Sequence, residues 1–231
     1  MKKSCAVLFC LAVVLIAGSQ AVPAGGQSDL SYDRSLLTEY KEPYDIVAYF
    51  RLLPISVIPY DQNWRKALLK GPAKFTNGTG FDTIVKIDRK NCFLSVCNEG
   101  GGGGDSVEVA YWILKDRSHL IAVNRTNWGM CCDTSILRFF TFKKQVWQEV
   151  TDKYLPPITL ASFIWSDHLK PEDKNKPAPL YIKLPREGFN ISVSLGGDIL
   201  DNGYNNDPEA FTNTTHELVW ENERFVLRTF H

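Results

Sequence analysis

The sequence predicts a mainly β fold with minor α content, an antiparallel meander of hairpins behind a short helical N-terminal cap. Three observations carry this expectation. From Phe75 onward, β-branched and aromatic residues gather into short runs separated by polar turns, as successive hairpins do. Ahead of Phe75 the apolar spacing is helical instead. A content of 44% hydrophobic and 12% aromatic residues in 231 is enough to build a packed core.

The elements follow in order. Met1-Lys2-Lys3, the apolar run Ala6 to Gly18 and the small residues of Ser19-Gln20-Ala21 have the layout of a cleavable secretory signal over residues 1–21. The run falls short of the ~20 apolar residues of a membrane-spanning helix. Residues 22–29 read as a linker, and 30–231 as one β-rich domain with its cap at about 30–71. Pro43 can open a helix whose Ile46, Val47, Phe50 and Leu53 share a face, with Pro54 as the stop. Asp61 can cap a second helix over 61–70 that ends at Gly71-Pro72, with Trp64, Leu68 and Leu69 as its inner stripe. Both helices are expected to cover one end of a sheet.

The meander occupies about 75–154. Thr83–Ile87 and Cys92–Cys97 flank one connection, Val107–Leu114 and His119–Asn124 a second, and Ile136–Phe142 and Gln145–Thr151 a third. Thr159 can begin a short helical turn through Phe163 in a Pro-rich stretch. C-terminal hairpins are expected at about 180–231, from Ile182–Leu184, Asn190–Leu195, His216–Trp220 and Phe225–Thr229.

The run Trp147-x-x-Val150-Thr151, Leu155-Pro156, Phe163, Leu184-Pro185-Arg186-x-Gly188 and Leu218-x-Trp220 resembles a group of poorly characterised secreted β-rich proteins. In these, a tryptophan hairpin is followed by a Pro turn and an LPR-type strand. The resemblance implies a similar fold over the C-terminal half, and no activity.

Charge excludes some partners. With 26 basic and 26 acidic residues the chain has no electrostatic footprint for nucleic acid or an anionic membrane. No second stretch approaches spanning length, so no membrane span is expected after signal cleavage. The expected location is extracellular, or periplasmic in a bacterium.

Four cysteines follow the signal, Cys92, Cys97, Cys131 and Cys132, and an even count in an oxidising compartment predicts two disulfides. A vicinal Cys131–Cys132 bond closes a strained ring. The remaining patterns, crossed or uncrossed, tie the 92–97 segment to the 131–132 loop. Four sequons, at Asn77, Asn124, Asn190 and Asn213, predict surface asparagines of a glycoprotein.

Catalytic and metal signatures fail on spacing. Ser166-Asp167-His168 holds the residue types of a hydrolase triad, but a triad needs groups converging from separate segments. The glycines at 100–104 lack the G-K-[ST] of a phosphate loop and read as a flexible loop, with a mobile lid as the alternative. Aligned on Gly203, the residues Asp198, Asn202, Asn206 and Glu209 match four positions of a calcium loop, but Leu200 stands at a ligand position and strands flank it. An acidic hairpin loop is the better account, with an irregular calcium site as the alternative. No metal or cofactor is assigned.

The sequence therefore points to a secreted, non-catalytic glycoprotein that binds an extracellular partner or matrix. The G-x-W opening of lipocalin-type carriers is missing from the N-terminal half. The rival is an extracellular hydrolase whose carboxylates converge only in three dimensions.

Overall fold

In the computed structural model, residues 29–76, 81–129, 134–196, 210–211 and 215–230 are described. Seven strands form one antiparallel sheet in chain order: β1 (Lys74–Thr76), β2 (Asp82–Asp88), β3 (Phe93–Gly100), β4 (Gly103–Ile113), β5 (His119–Trp128), β6 (Thr134–Lys143) and β7 (Val146–Glu149). Four more, β8 (Leu180–Lys183), β9 (Ile191–Leu195), β10 (Thr215–Glu221) and β11 (Arg224–Phe230), form a second sheet, also with sequential neighbours. The fold is thus mostly β and built from consecutive antiparallel strands, as the hairpin pattern predicts.

The seven-stranded sheet is the middle of three layers. Alternation along its strands sends Leu94, Val96, Val109, Ile121 and Phe140 to the N-terminal helices. The same alternation sends Phe93, Ala110, Trp112, Leu120, Ala122 and Phe139 to the second sheet. Strands covered on both faces read as nearly continuous apolar runs. That is why β5 shows five buried residues in succession from Leu120.

The cap contains α1 (Ile46–Leu52) and α2 (Gln62–Lys70). Asp45 and Asp61 cap them by accepting from the N–H of Ala48 and Trp64, at 2.8 Å each. Pro43 lies ahead of the Asp45 cap and does not open the helix. The helices cover a face of the sheet and not an end, because every residue of α1 is buried against the layer beneath. Within α2, Leu68 is buried as expected, but so is Arg65, with no exposed surface.

The glycine run is not a flexible loop. Gly100 ends β3, Gly103 and Gly104 belong to β4, and only Gly101-Gly102 turn, at φ of 58° and 88°. Two successive positive φ values suit a tight hairpin turn, which glycine adopts without strain. At Gly104 a Cβ would lie 2.2 Å from the Asn98 carbonyl oxygen and 2.5 Å from the Trp128 ring. Glycine there lets Trp128 close over the strand.

The second sheet docks through the edge of β8. Asn124 Nδ2 donates to the Ile182 carbonyl (2.8 Å) and to Glu108 (3.1 Å), whose carboxylate also accepts from the Leu184 N–H (2.9 Å). Ser135 Oγ accepts from the Ile182 N–H (2.9 Å) and is hydrogen-bonded to Thr126 (2.8 Å). Burial pushes the Glu108 carboxyl above its ordinary pKa, and the Leu184 and Asn124 hydrogen bonds oppose this.

The folded state therefore holds the Glu108 proton more tightly than the unfolded chain does. Its contribution is full below the unfolded value and is lost as pH rises through the folded one. Glu108→Gln is expected to flatten this loss in urea midpoints measured between about pH 4 and 7. An unchanged slope would refute the assignment.

Candidate functional site

Where the chain entering α1 crosses the tips of two hairpins, a cavity of about 530 Å³ opens to solvent. Its walls come from Glu42, Pro43 and Tyr44, from Tyr49 on α1, and from the β4–β5 turn Asp116-Arg117-Ser118 with His119. Phe142, Lys143 and Lys144 complete it from the β6–β7 hairpin. The two tips are neighbours because β5 and β6 pair with Leu120 opposite Thr141.

Aromatic rings make the floor. Tyr44 meets Phe142 edge-on at 5.6 Å, Phe142 lies 4.6 Å from Trp147, and Trp147 lies 6.1 Å from Tyr49. Trp147 is fixed in turn by donating its indole N–H to the Leu52 carbonyl at 3.0 Å. His119 stacks on Tyr111, with centroids 4.4 Å apart and planes 17° from parallel, and its Nδ1 is 2.8 Å from the Tyr49 hydroxyl. Burial lowers the His119 pKa and raises those of Tyr49 and Tyr111. At neutral pH the imidazole is therefore uncharged and the phenols keep their protons.

The rim is charged. Lys143 Nζ bridges the two hairpin tips by reaching Asp116 Oδ2 at 2.7 Å. That contact and the Ser118 hydroxyl and N–H hold the Asp116 carboxyl well below the usual range. Ser118 Oγ donates to Asp116 and not to His119, so a serine, a histidine and an aspartate share this wall without forming a nucleophile–base pair. Glycosidase-type acid catalysis needs a carboxyl held protonated, and Asp116 is held ionised.

A second cleft, of about 490 Å³, borders the glycine turn. Its Asp105 is already engaged by Asn98 Nδ2 (3.1 Å) and the Tyr60 hydroxyl (3.3 Å). Among the described residues no group of three or more His, Cys, Asp or Glu side chains is placed to hold a metal ion.

The residues singled out by sequence fare differently. Cys92 ends the β2–β3 turn at φ 57°, and Cys97 lies within β3 opposite Ile84 and Ser106. Both carry free thiols among the described residues, so they are not bonded to each other. Their expected partners, Cys131 and Cys132, lie outside the described residues. Along β3 the two are about 16 Å apart at the rise of a strand, whereas a disulfide spans at most ~7 Å between Cα atoms. The end of β5 that leads towards residue 131 is on the Cys97 side, since Ser106 pairs with both Cys97 and Thr126.

Asn190 is exposed, as a glycan acceptor must be, and donates to Glu217 at 2.9 Å. Asn124 is not. With no exposed surface and its amide nitrogen committed between the sheets, it is a structural residue, and the expectation that it lies on the surface is corrected. Asn77 and Asn213, the calcium-like set Asp198, Asn202, Asn206 and Glu209, the signal at 1–21 and linker residues 22–28 all lie outside the described residues. Ser166-Asp167-His168 forms a turn in which His168 sits 3.8 Å from its own neighbour Asp167.

Sequence reasoning passed over the Tyr49–His119 pair. Its members are 70 residues apart and belong to different layers, and His119 reads in sequence only as the first residue of a strand. No protein family, curated protein or solved structure matches this chain.

Proposed function

We propose that this is a secreted, non-catalytic binding protein that holds a small extracellular ligand in the cavity at Tyr49 and His119. The observation that carries the reading is the histidine. It is oriented by a buried hydroxyl and a stacked ring at the edge of a pocket of ligand-binding size. The signal layout supports the location. Among the described residues no helix is long and apolar enough to cross a membrane. A disulfide is proposed between Cys97 and one of the 131–132 pair, Cys92 being the less favourably placed partner. Glycosylation is proposed at Asn190.

Trp147 lies against the cavity floor and serves as the reporter. Protein recovered from the culture medium, beginning at Val22, is expected to show saturable changes in tryptophan fluorescence with members of a small-molecule library. His119→Ala is expected to weaken those responses about tenfold or more. Absence of any saturable response defeats the reading. So does turnover of ester or glycoside substrates that disappears with His119→Ala, which would establish the hydrolase instead.

A further inference from the structure

The hydrogen-bond pattern around His119 also indicates which chemistry the ligand presents, given that the cavity is the binding site. Tyr49 is buried, 4% exposed, and among the described residues the one hydrogen-bond partner of its hydroxyl is His119 Nδ1. A phenol can donate or accept. A buried O–H with no acceptor costs about 1–3 kcal/mol, while a spare lone pair on an oxygen that already has a partner is tolerated far better. Tyr49 therefore donates, Nδ1 accepts, and the neutral ring carries its proton on Nε2. That nitrogen has no protein partner among the described residues, and His119 lines the cavity.

The rim adds positive charge. It carries three cations against two carboxylates, Glu42 and Asp116, and Asp116 is taken up by Lys143. Arg117 and Lys144 have no ion-pair partner among the described residues. A fixed N–H donor, two unpaired cations and an aromatic wall suit one kind of molecule.

We propose that the cavity takes a small organic anion. Its carboxylate or sulfate group is received by His119 Nε2–H and the Arg117 and Lys144 rim, with its apolar body against Tyr44 and Phe142. A neutral ligand of the same shape forgoes the rim, and a cation is repelled by it.

The test uses the secreted protein labelled with ¹⁵N-histidine and three probes: benzoate, phenyl sulfate and the neutral benzamide. Without ligand, two-dimensional ¹H–¹⁵N spectra at neutral pH are expected to show His119 protonated on Nε2, and Tyr49→Phe is expected to release it into a tautomer mixture. Benzoate or phenyl sulfate is expected to shift the His119 signals saturably, about tenfold or more tighter than benzamide. The preference between the two anions separates a carboxylate from a sulfate site. Arg117→Asn with Lys144→Gln is expected to remove the advantage over benzamide while leaving the tautomer in place. Asparagine is chosen because position 117 has φ 63°, which it tolerates.

An Nδ1–H tautomer in the ligand-free protein overturns the inference. Benzamide binding as tightly as benzoate also overturns it, and leaves the binding reading standing. If no probe shifts His119 the inference fails, and the library screen then decides separately whether the cavity binds anything.

Discussion

Arg65→Ala is expected to destabilise the protein by about 3–5 kcal/mol. The side chain has no exposed surface, and among the described residues no carboxylate forms an ion pair with it, the charge of Asp61 acting only from beyond contact. Backbone carbonyls surround it instead. Nε donates to Tyr60 (2.7 Å), Nη1 to Phe50 (3.1 Å), Arg51 (3.2 Å) and Leu53, and Nη2 to Ile58 (2.8 Å) and Pro54 (3.3 Å). Three of these carbonyls belong to the last residues of α1 or its C-cap, where the helix leaves acceptors unmatched and its dipole is negative. One guanidinium thus terminates α1 and shapes the turn at 53–60 that leads to α2.

Burial lowers the Arg65 pKa to about 10, which still leaves it charged at neutral pH. Alanine removes every donor at once and leaves the carbonyls buried. Lysine has three donors on a point charge and no planar fork, so Arg65→Lys is expected to recover only part of the loss. Urea unfolding followed by circular dichroism measures both, with Arg65→Met as a control for the packing of the stem. A loss below about 1 kcal/mol for the alanine variant would show that these contacts contribute little.

Asn124→Ala is expected to cost about 2–4 kcal/mol. The substitution leaves the Ile182 carbonyl without its donor, removes one of two donors to the Glu108 carboxylate, and opens a small void between the sheets. Asn124 also heads a sequon, so the same variant tests its glycan. Electrophoretic mobility of the secreted protein is expected not to change, because a sugar on this nitrogen would keep the second sheet from closing. Peptide mapping that finds Asn124 glycosylated would contradict the buried arrangement.

The hairpins were legible because each needs only local information: two apolar runs and a turn. Thr83–Ile87 became Asp82–Asp88, and Ile136–Phe142 became Thr134–Lys143. The α2 cap was legible for the same reason, since Asp61 accepts from a residue three positions on. What the sequence concealed depends on contacts between distant segments. Stacking of two sheets leaves no separate signature when both faces of a strand are buried. Arg65 reads as one more surface cation because its acceptors are backbone atoms, which are the same in every sequence. The glycine run reads as slack until Trp128, 24 residues beyond Gly104, is seen packed where a side chain would stand. The sequon at Asn124 was misleading because a triplet carries no information about burial.

The clamp on β8 has a meaning for how molecules of this protein meet one another. A strand at the border of a sheet offers its unpaired N–H and C=O groups to any extended chain that comes near. On β8 the Asn124 amide and the Ser135 hydroxyl occupy those groups at Ile182, and just past its end the Glu108 carboxylate occupies the Leu184 N–H, as a neighbouring strand would. The sheet is thus closed on that border by side chains of its own molecule. A chain that loses this clamp does more than unfold more readily, because it presents a strand able to recruit a second copy. Loss of the Asn124 amide is then a route to self-association at concentrations where the intact protein stays dispersed.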